Sequence, residues 1–372
     1  MVRFLHTSDW QVGMKGGGLG QAGVLVAQQR IETIDRILSI AVEYDVDFVV
    51  AAGDLFEDNR VSYSDVEAVA RIIHAHPDVE IHAIPGNHDL PGPGSVWNRS
   101  ALRGVPNLKL HLEARPEEIR DGVTLHPFPV LSRYSSTDPL SALPDLTRSA
   151  GIHIAMAHGH LKTLAFGEHE EGITLPIDPA HVERAGLDYL ALGHWHGTRL
   201  IDAEDDRSRI AYSGTHEQTS YGEVNAGNVL IVEIEAKGSL PKVEVIRSGE
   251  LTWGSEQMEF VKDENLDRLR RLLEAVDSVL LRLELSGELP EPLYPEYRQL
   301  LARARERFLD LRVRDEQLNW RRHDETPLTL TDASLEEVLR RLQGLHAAAT
   351  ADEATVREAI RLFGEFAKEA GL

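Results

Sequence analysis

The stretch Ile81-His82-Ala83-Ile84-Pro85-Gly86-Asn87-His88-Asp89 joins a short apolar run to a cluster of polar residues. The apolar part, Ile81–Ile84, has the length of a β-strand. A hydrophobic core has no need of the Asn-His-Asp that follows, because buried charges are costly unless they are paired or bind a metal. This stretch therefore predicts a strand that delivers polar side chains to the edge of a sheet.

The same arrangement recurs four more times along the chain. Four further apolar runs predict strands, at Val2–Leu5, Phe48–Ala52, Ile152–Ala157 and Tyr189–Leu192. The polar residues that follow them are Asp9-Trp10-Gln11, Gly53-Asp54, His158-Gly159-His160 and Gly193-His194-Trp195-His196. Ligands bind outside the carboxyl ends of the strands in open α/β sheets. We therefore expect these polar residues to form one site at that edge.

Helical periodicity between the predicted strands indicates a layered α/β fold. Ile31, Ile34, Leu38 and Val42 recur at helical spacing, and strand–helix–strand alternation is typical of α/β domains. Consecutive strands over 210–246 are expected to form a second sheet that completes the same domain. The composition changes near Trp253, where amphipathic helices and a strand predict a small α+β appendage. The expected division is 1–250, 251–325 and a C-terminal helical segment at 326–372.

The composition excludes several kinds of site. The 372 residues include 39 Lys and Arg against 61 Asp and Glu, a net charge of −22, so nucleic acid cannot be held by a globally basic surface. With no Cys, the chain has no disulfide, thiolate zinc site or Cys nucleophile. The N-terminus lacks the apolar core of a signal peptide, and no apolar run approaches a membrane span of about 20 residues. We expect a cytoplasmic protein without membrane contact.

The residue types at the strand ends indicate a metal centre. Mixed Asp, Asn and His ligands without Cys suit manganese, iron or zinc in a reactive site better than a structural zinc site. Taken singly, Asp9 could be a cap and Asp54 a turn residue. Five such strand ends in succession make these separate explanations a poor account of the pattern.

Three motifs in this order resemble the signature of calcineurin-like metallophosphoesterases: Gly53-Asp54, Gly86-Asn87-His88-Asp89 and Gly193-His194-Trp195-His196. The opening Phe4-Leu5-His6-Thr7-Ser8-Asp9-Trp10 and the stretch Ala52-Gly53-Asp54-Leu55-Phe56 resemble the SbcD-type DNA-repair nucleases within that superfamily. The resemblance covers roughly residues 1–250. It implies an α/β, two-sheet αββα metallophosphoesterase sandwich with a small α+β DNA-capping domain and C-terminal helices.

The resemblance also implies a role for each motif residue. Asp54 would bridge two divalent metal ions, with Asp9, Gln11 and His196 completing the first position and Asn87, His158 and His194 the second. His88 would protonate the leaving oxygen as general acid, and Asp89 would orient its ring. Manganese is the expected metal, with iron, zinc and magnesium as alternatives.

Gln11 departs from the family pattern, which usually has His at this position. A Gln oxygen is a neutral, harder ligand, so it should weaken the first position or favour manganese or magnesium there. Whether Gln11 coordinates stays open.

Two further sequence features have competing interpretations. Strand alternation would turn Trp10 and Trp195 away from the neighbouring ligands and into the core, which favours packing over base stacking. Gly18-Leu19-Gly20-Gln21-Ala22-Gly23 matches the dinucleotide-binding fingerprint, but it does not directly follow a strand, so a flexible loop beside the metal site is the better interpretation.

The resemblance implies a manganese-dependent DNA nuclease acting in DNA repair, with 3′→5′ exonuclease activity and endonuclease activity on single strands or hairpins. DNA is the expected partner; a coiled-coil ABC-type ATPase (SbcC-like) and a second copy of the chain are further partners it leaves open. Two alternatives remain: a small-molecule phosphodiesterase or phosphatase with the same metals, and a weakly active interaction subunit.

Overall fold

The computed structural model describes residues 1–14, 16, 18–163, 175–261, 265–276 and 279–321, together with residues 335, 337–342, 355–356, 358–360, 362–363 and 366. Strands and helices are numbered below in chain order.

The first sheet has six strands and a mainly parallel centre. In spatial order it contains Lys242–Arg247 (β14), Asn228–Ile234 (β13), Val2–Thr7 (β1), Phe48–Ala51 (β2), Ile81–Ala83 (β3) and Leu108–Leu110 (β4). Strands β1 to β4 are parallel, so their carboxyl ends lie at one edge. Strands β13 and β14 are attached antiparallel beside β1.

The second sheet also has six strands. In spatial order it contains Arg199–Ile201 (β11), Ile210–Tyr212 (β12), Tyr189–Gly193 (β10), Ile152–His158 (β7), Val123–Phe128 (β6) and Glu117–Arg120 (β5). Strands β6, β7, β10 and β12 are parallel to one another. A separate short pair consists of His160–Leu161 (β8) and Pro176–Ile177 (β9).

Four helices accompany these sheets: Gln21–Glu43 (α1), Tyr63–Ala75 (α2), Ser100–Arg103 (α3) and Ala180–Ala185 (α4). Short 3₁₀ turns occupy Val96–Asn98 and Pro139–Ala142. The apolar faces of α1 and α2 pack on the first sheet, and α4 packs on the second. Between the sheets lies a core that includes Phe4, Phe48 and Tyr189, with the Phe4 and Phe48 rings stacked 5.3 Å apart. The αββα arrangement expected from the resemblance is confirmed.

The structure confirms all five predicted strands but distributes them differently. The first three belong to the first sheet, whereas β7 and β10 belong to the second. The prediction that residues 210–246 form a second sheet is wrong, because β13 and β14 extend the first sheet through β1. The site therefore lies where the carboxyl ends of two facing sheets meet.

The appendage consists of three strands that alternate with two helices: Trp253–Phe260 (β15), Asp267–Ala275 (α5), Leu280–Pro290 (β16), Tyr294–Arg307 (α6) and Asp310–Arg321 (β17). A 3₁₀ turn at Glu291–Leu293 precedes α6. All three strands are parallel, so the unit is α/β in character rather than the expected α+β. It has a hydrophobic core of its own that includes Leu269, Leu283 and Tyr297. We refer to residues 253–321 as the three-stranded unit.

The predicted C-terminal segment lies partly outside the described residues. Leu335, residues 337–342 and the described residues between 355 and 366 are helical. Leu339 is buried against Leu335, Ile360 and Phe363, so these two helical stretches pack on each other. Within the described part of the chain, none of the helices has the length and apolar character needed to cross a membrane.

Candidate metal centre

The carboxyl ends of β1, β2, β3, β7 and β10 bring the predicted ligands together. Ligand atoms of Asp9, Asp54 and His158 all lie within 4.8 Å of one another, and all three residues are buried. The backbone amide of His194 donates to both carboxylate oxygens of Asp9, at 3.2 and 3.1 Å. Residues 185 positions apart in the chain can meet in this way because both sheets end at the same place.

Asp54 occupies the centre of this cluster. Its Oδ1 accepts a hydrogen bond from the backbone amide of His88 at 2.9 Å, and its Oδ2 lies 3.2 Å from His158 Nε2. Two motif glycines make this approach possible. A Cβ on Gly86 would overlap Asp54 Oδ1, and a Cβ on Gly53, whose φ is 93°, would lie 2.5 Å from His158 Nδ1.

Asn87, His158 and His194 form one side of the cluster, which we call the second position. Asn87 Oδ1 lies 3.0 Å from His158 Nε2 and 3.0 Å from His194 Nδ1. His158 Nδ1 donates to the carbonyl of Ala52 at 2.9 Å, so in the neutral ring Nε2 carries the lone pair. This atom faces oxygens of Asn87 and Asp54, so it donates to them when the ring is protonated and can ligate a cation when the ring is neutral.

Asp9, Gln11 and His196 form the other side, which we call the first position. His196 Nδ1 donates to Glu223 Oε1 at 3.0 Å, and His196 Nε2 lies 3.0 Å from Gln11 Nε2. Gln11 is only 4% exposed, and its Oε1 is buried without a hydrogen-bond partner. Rotating the Gln11 side-chain amide by 180° exchanges Oε1 and Nε2, and Oε1 then points to the same place as His196 Nε2.

These contacts fit divalent metal ions. When two ligand atoms each lie about 2.1 Å from one ion and the ligand–ion–ligand angle is 90°, the two atoms are about 3 Å apart. The pairs Asn87–His158, Asn87–His194 and Gln11–His196 have this spacing, and Asp54–His158 is close to it. Asn87 Oδ1 faces two imidazole nitrogens and Gln11 Oε1 has no hydrogen-bond partner, so a cation would satisfy these atoms. This set of carboxylate, amide and imidazole ligands suits manganese, iron or zinc.

The electrostatics of the cluster also favour positive charge. Burial alone would lower the pKa of His158, but the charge of Asp54 and the hydrogen bond to it raise that pKa to about 9. Burial alone would raise the pKa of Asp54, but His158 more than offsets this and lowers it to about 2. The carboxylate is therefore ionised at neutral pH and ready to bind a cation.

Asp89 has a different role from the one expected. Its Oδ2 accepts from the backbone amides of Leu55 and Phe56, at 2.9 and 3.2 Å, and its Oδ1 accepts from Gly86 at 2.7 Å. The His88 ring is oriented instead through Nδ1, 2.9 Å from the carbonyl of Glu57. Asp89 thus joins the loop after Asp54 to the loop that carries Asn87, and the prediction that it orients the His88 ring is wrong.

The two tryptophans beside the ligands differ. Trp10 is buried, and its Nε1 donates to Thr7 Oγ1 at 2.9 Å, which confirms the prediction that it packs in the core. Trp195 is 39% exposed, so the same prediction is wrong for this residue. The strand ends at Gly193 and His194 has a φ of 104°, so strand alternation no longer governs the direction of Trp195.

Sequence reasoning missed two residues that support the ligands. Glu223 fixes His196, and burial of this carboxylate is more than offset by the hydrogen bonds from His196 and Thr219, which lower its pKa to about 2. Arg30 of α1 is buried behind the first position. It donates to the carbonyls of Trp10 and Glu217, at 2.6 and 2.7 Å, and to Thr215 Oγ1 at 3.1 Å. No motif marks either residue, because both act through contacts that are distant in sequence.

The comparison with known proteins agrees with this geometry. The chain matches the calcineurin-like phosphoesterase family over residues 2–198. It belongs to that family. Members use a dinuclear metal centre, so the chain is a metallophosphoesterase, a hydrolase of phosphate esters with a metal site.

Individual relatives are distant. The chain is 23% identical over 356 residues to the uncharacterized metallophosphoesterase YhaO of Bacillus subtilis, covering 90% of this chain and 83% of YhaO. It is 27% identical over 219 residues to the DNA double-strand break repair protein Mre11 of Saccharolobus solfataricus, covering 58% of this chain and 54% of that protein. The alignment thus spans about half the length of this Mre11. The crystal structure of TT1561 of Thermus thermophilus aligns over 66% of this chain and 99% of its own, with 13% identity and a TM-score of 0.43.

Replacing Gln11 by His should strengthen binding at the first position. An imidazole nitrogen binds first-row metals more tightly than a neutral amide oxygen does. In a calorimetric manganese titration, we expect the affinity for one of two ions to rise by about tenfold, or about 1.4 kcal/mol, with the other unchanged. Gln257→His, in the three-stranded unit, is the matched control. Equal affinities for both ions in wild type and Gln11→His would remove residue 11 from the ligand set.

Proposed function

We propose that this metallophosphoesterase is a manganese-dependent DNA nuclease of the SbcD type. The observation that carries the proposal is that seven candidate ligands from five strand ends converge around the buried residues Asp9, Asp54 and His158, several of them with ligand-like spacing. The similarity to proteins named as DNA double-strand break repair proteins supports DNA as the substrate.

Charge explains how an acidic chain could bind DNA. Asp9 and Asp54 are the two carboxylates among the seven candidate ligands, and two divalent ions would leave the centre net positive. Arg133 adds a cation beside the second position, since its Nε donates to the carbonyl of Asn87 at 3.4 Å. A phosphate at the centre would thus meet an arginine at its edge.

Different residues would have different roles in phosphodiester hydrolysis. Bound divalent ions would supply Lewis-acid polarisation of the phosphate. His88, which is partly exposed at the mouth, donates through Nδ1 to the Glu57 carbonyl, so Nε2 is the atom that can give a proton to the leaving oxygen. Asp89 and Glu223 hold the loops and the His196 ring in place.

The finer properties belong to the same proposal: 3′→5′ exonuclease activity, endonuclease activity on single strands or hairpins, and a capping role for the three-stranded unit. An SbcC-like ATPase partner and a cytoplasmic location are part of the same proposal.

A manganese-supplemented assay on four substrates tests the proposal. We expect cleavage of end-labelled duplex and hairpin DNA, progressive shortening from 3′ ends, and slower hydrolysis of bis-p-nitrophenyl phosphate. Hydrolysis of the nitrophenyl ester without cleavage of single-stranded, duplex or hairpin DNA would favour a small-molecule phosphodiesterase. Two bound ions without turnover of any substrate would favour an interaction subunit.

His88→Ala should abolish DNA cleavage while leaving metal binding nearly intact. Loss of a general acid typically costs about 10²- to 10⁴-fold in rate, whereas the ring of His88 lies outside the proposed ligand set. Single-turnover cleavage and manganese titration of the same preparation measure the two effects. His74→Ala, on the exposed face of α2, is the control. Cleavage by His88→Ala at the wild-type rate would exclude this residue from the mechanism.

A further inference from the structure

One loop of the domain formed by the two six-stranded sheets joins the first metal position to the three-stranded unit. We call residues 218–223 the coupling loop. At its end, Glu223 Oε1 accepts from His196 Nδ1, and Glu223 Oε2 accepts from the backbone amides of Thr219 and Ser220, at 2.7 and 3.3 Å. The Thr219 hydroxyl also donates to Glu223. The conformation of this loop therefore sets the position of the carboxylate that orients His196.

Tyr221, near the middle of the coupling loop, is held by all three strands of the other unit. The guanidinium groups of Arg282 on β16 and Arg312 on β17 lie 4.7 and 5.4 Å from its ring centroid. Trp253 on β15 makes an edge-to-face contact at 4.9 Å. The Tyr221 hydroxyl donates to Asp310 Oδ2 at 3.0 Å, and Arg312 Nε donates to the same oxygen at 2.8 Å.

A second connection reaches the loop that follows Gln11. Leu19 and the first turns of α1 share a hydrophobic cluster with Tyr221, Trp253 and Leu280. Arg312 Nη2 also approaches Gly18, where a Cβ would lie 3.4 Å from it. The coupling loop and the segment that follows Gln11 therefore both contact the residues at the beginning of the strands of the three-stranded unit.

The second position is built differently. The hydrogen bonds of the Asn87 side chain run to His158 and His194, and His158 is fixed by the carbonyl of Ala52. All of these residues lie in or shortly after strands of the two six-stranded sheets, outside the three-stranded unit. The two metal positions are therefore unequal in their connection to the three-stranded unit.

We propose that Tyr221 is a positioning residue that couples the docking of the three-stranded unit to ion binding at the first metal position. This inference rests on the proposed metal centre and deepens it. Tyr221 acts through Glu223, which acts on His196. The coupling is reciprocal: an ion at the first position favours the docked arrangement, and docking favours the ion. A substrate phosphate that engages Arg282 or Arg312 would act on the same connection.

Manganese titration of the full-length protein, with calorimetric and unfolding readouts, tests this inference. Tyr221→Ala should weaken binding of one ion by about tenfold, within the range found when groups that orient metal ligands are removed, and leave the other ion unchanged. Tyr221→Phe retains the ring between the guanidinium groups and should stay within about threefold of wild type. Arg282→Gln removes one contact without altering the loop and should weaken the same ion.

Tyr294→Ala is the matched control, because Tyr294 contacts Trp320 and Arg298 within the three-stranded unit. It should leave both affinities unchanged. Wild-type affinities for both ions in Tyr221→Ala and Arg282→Gln would overturn the coupling while leaving the metal centre intact. Equal weakening of both ions, with a lower unfolding midpoint of the ion-free protein, would also overturn it, because the role would then be structural. A wild-type chain that binds no manganese would instead refute the metal centre itself.

Discussion

The buried carboxylate of Asp54 is the group on which the rest of the site depends. It is 2% exposed, and an unpaired charge at such depth costs several kcal/mol. The chain surrounds it with the amide of His88, the ring of His158 and two glycines that permit these contacts. The other candidate ligands lie around Asp54 because the strands that carry them end at the same edge of the two sheets.

The loops around Asp54 are held in uncommon conformations by buried polar groups. Asp9, Gln11, Asp54 and His194 all have positive φ, at 51°, 43°, 53° and 104°. Such residues cost on the order of 1–3 kcal/mol each and persist only where the surroundings fix them. Backbone bonds from Asp9 to Gly53 and from Gln11 to Asp54 provide part of this restraint, at 3.0 and 2.9 Å. Asp89 and Arg30 provide the remainder from behind, through carbonyl and amide groups of the same loops.

Sequence reasoning predicted the strands and the candidate ligands because both follow from local order. An apolar run followed by Asp, Asn or His marks a strand end, and parallel strands place such ends together. The partition into two sheets was not predictable in this way, since β13 joins β1 across more than 200 residues. The supporting roles of Glu223 and Arg30 were not predictable for the same reason. The roles of Asp89 and Trp195 were inferred from adjacency and alternation, which fail where the chain leaves the strand and turns sharply.

The second group of potential metal ligands, Asp138, Asp178 and His181, illustrates what distinguishes a site from a structural network. Asp138 accepts from the amides of Leu140 and Asp178 and from His181, so its oxygens already have donors. Around Asp54, by contrast, Asn87 Oδ1 faces the ring nitrogens of two histidines, and Gln11 Oε1 is buried without a hydrogen-bond partner. Anomalous diffraction from crystals grown with manganese tests this distinction most directly. We expect two anomalous peaks, one between Asp9, Asp54 and His196 and one between Asp54, Asn87 and His158. Peaks only at Asp138 and His181, or none near Asp54, would contradict it.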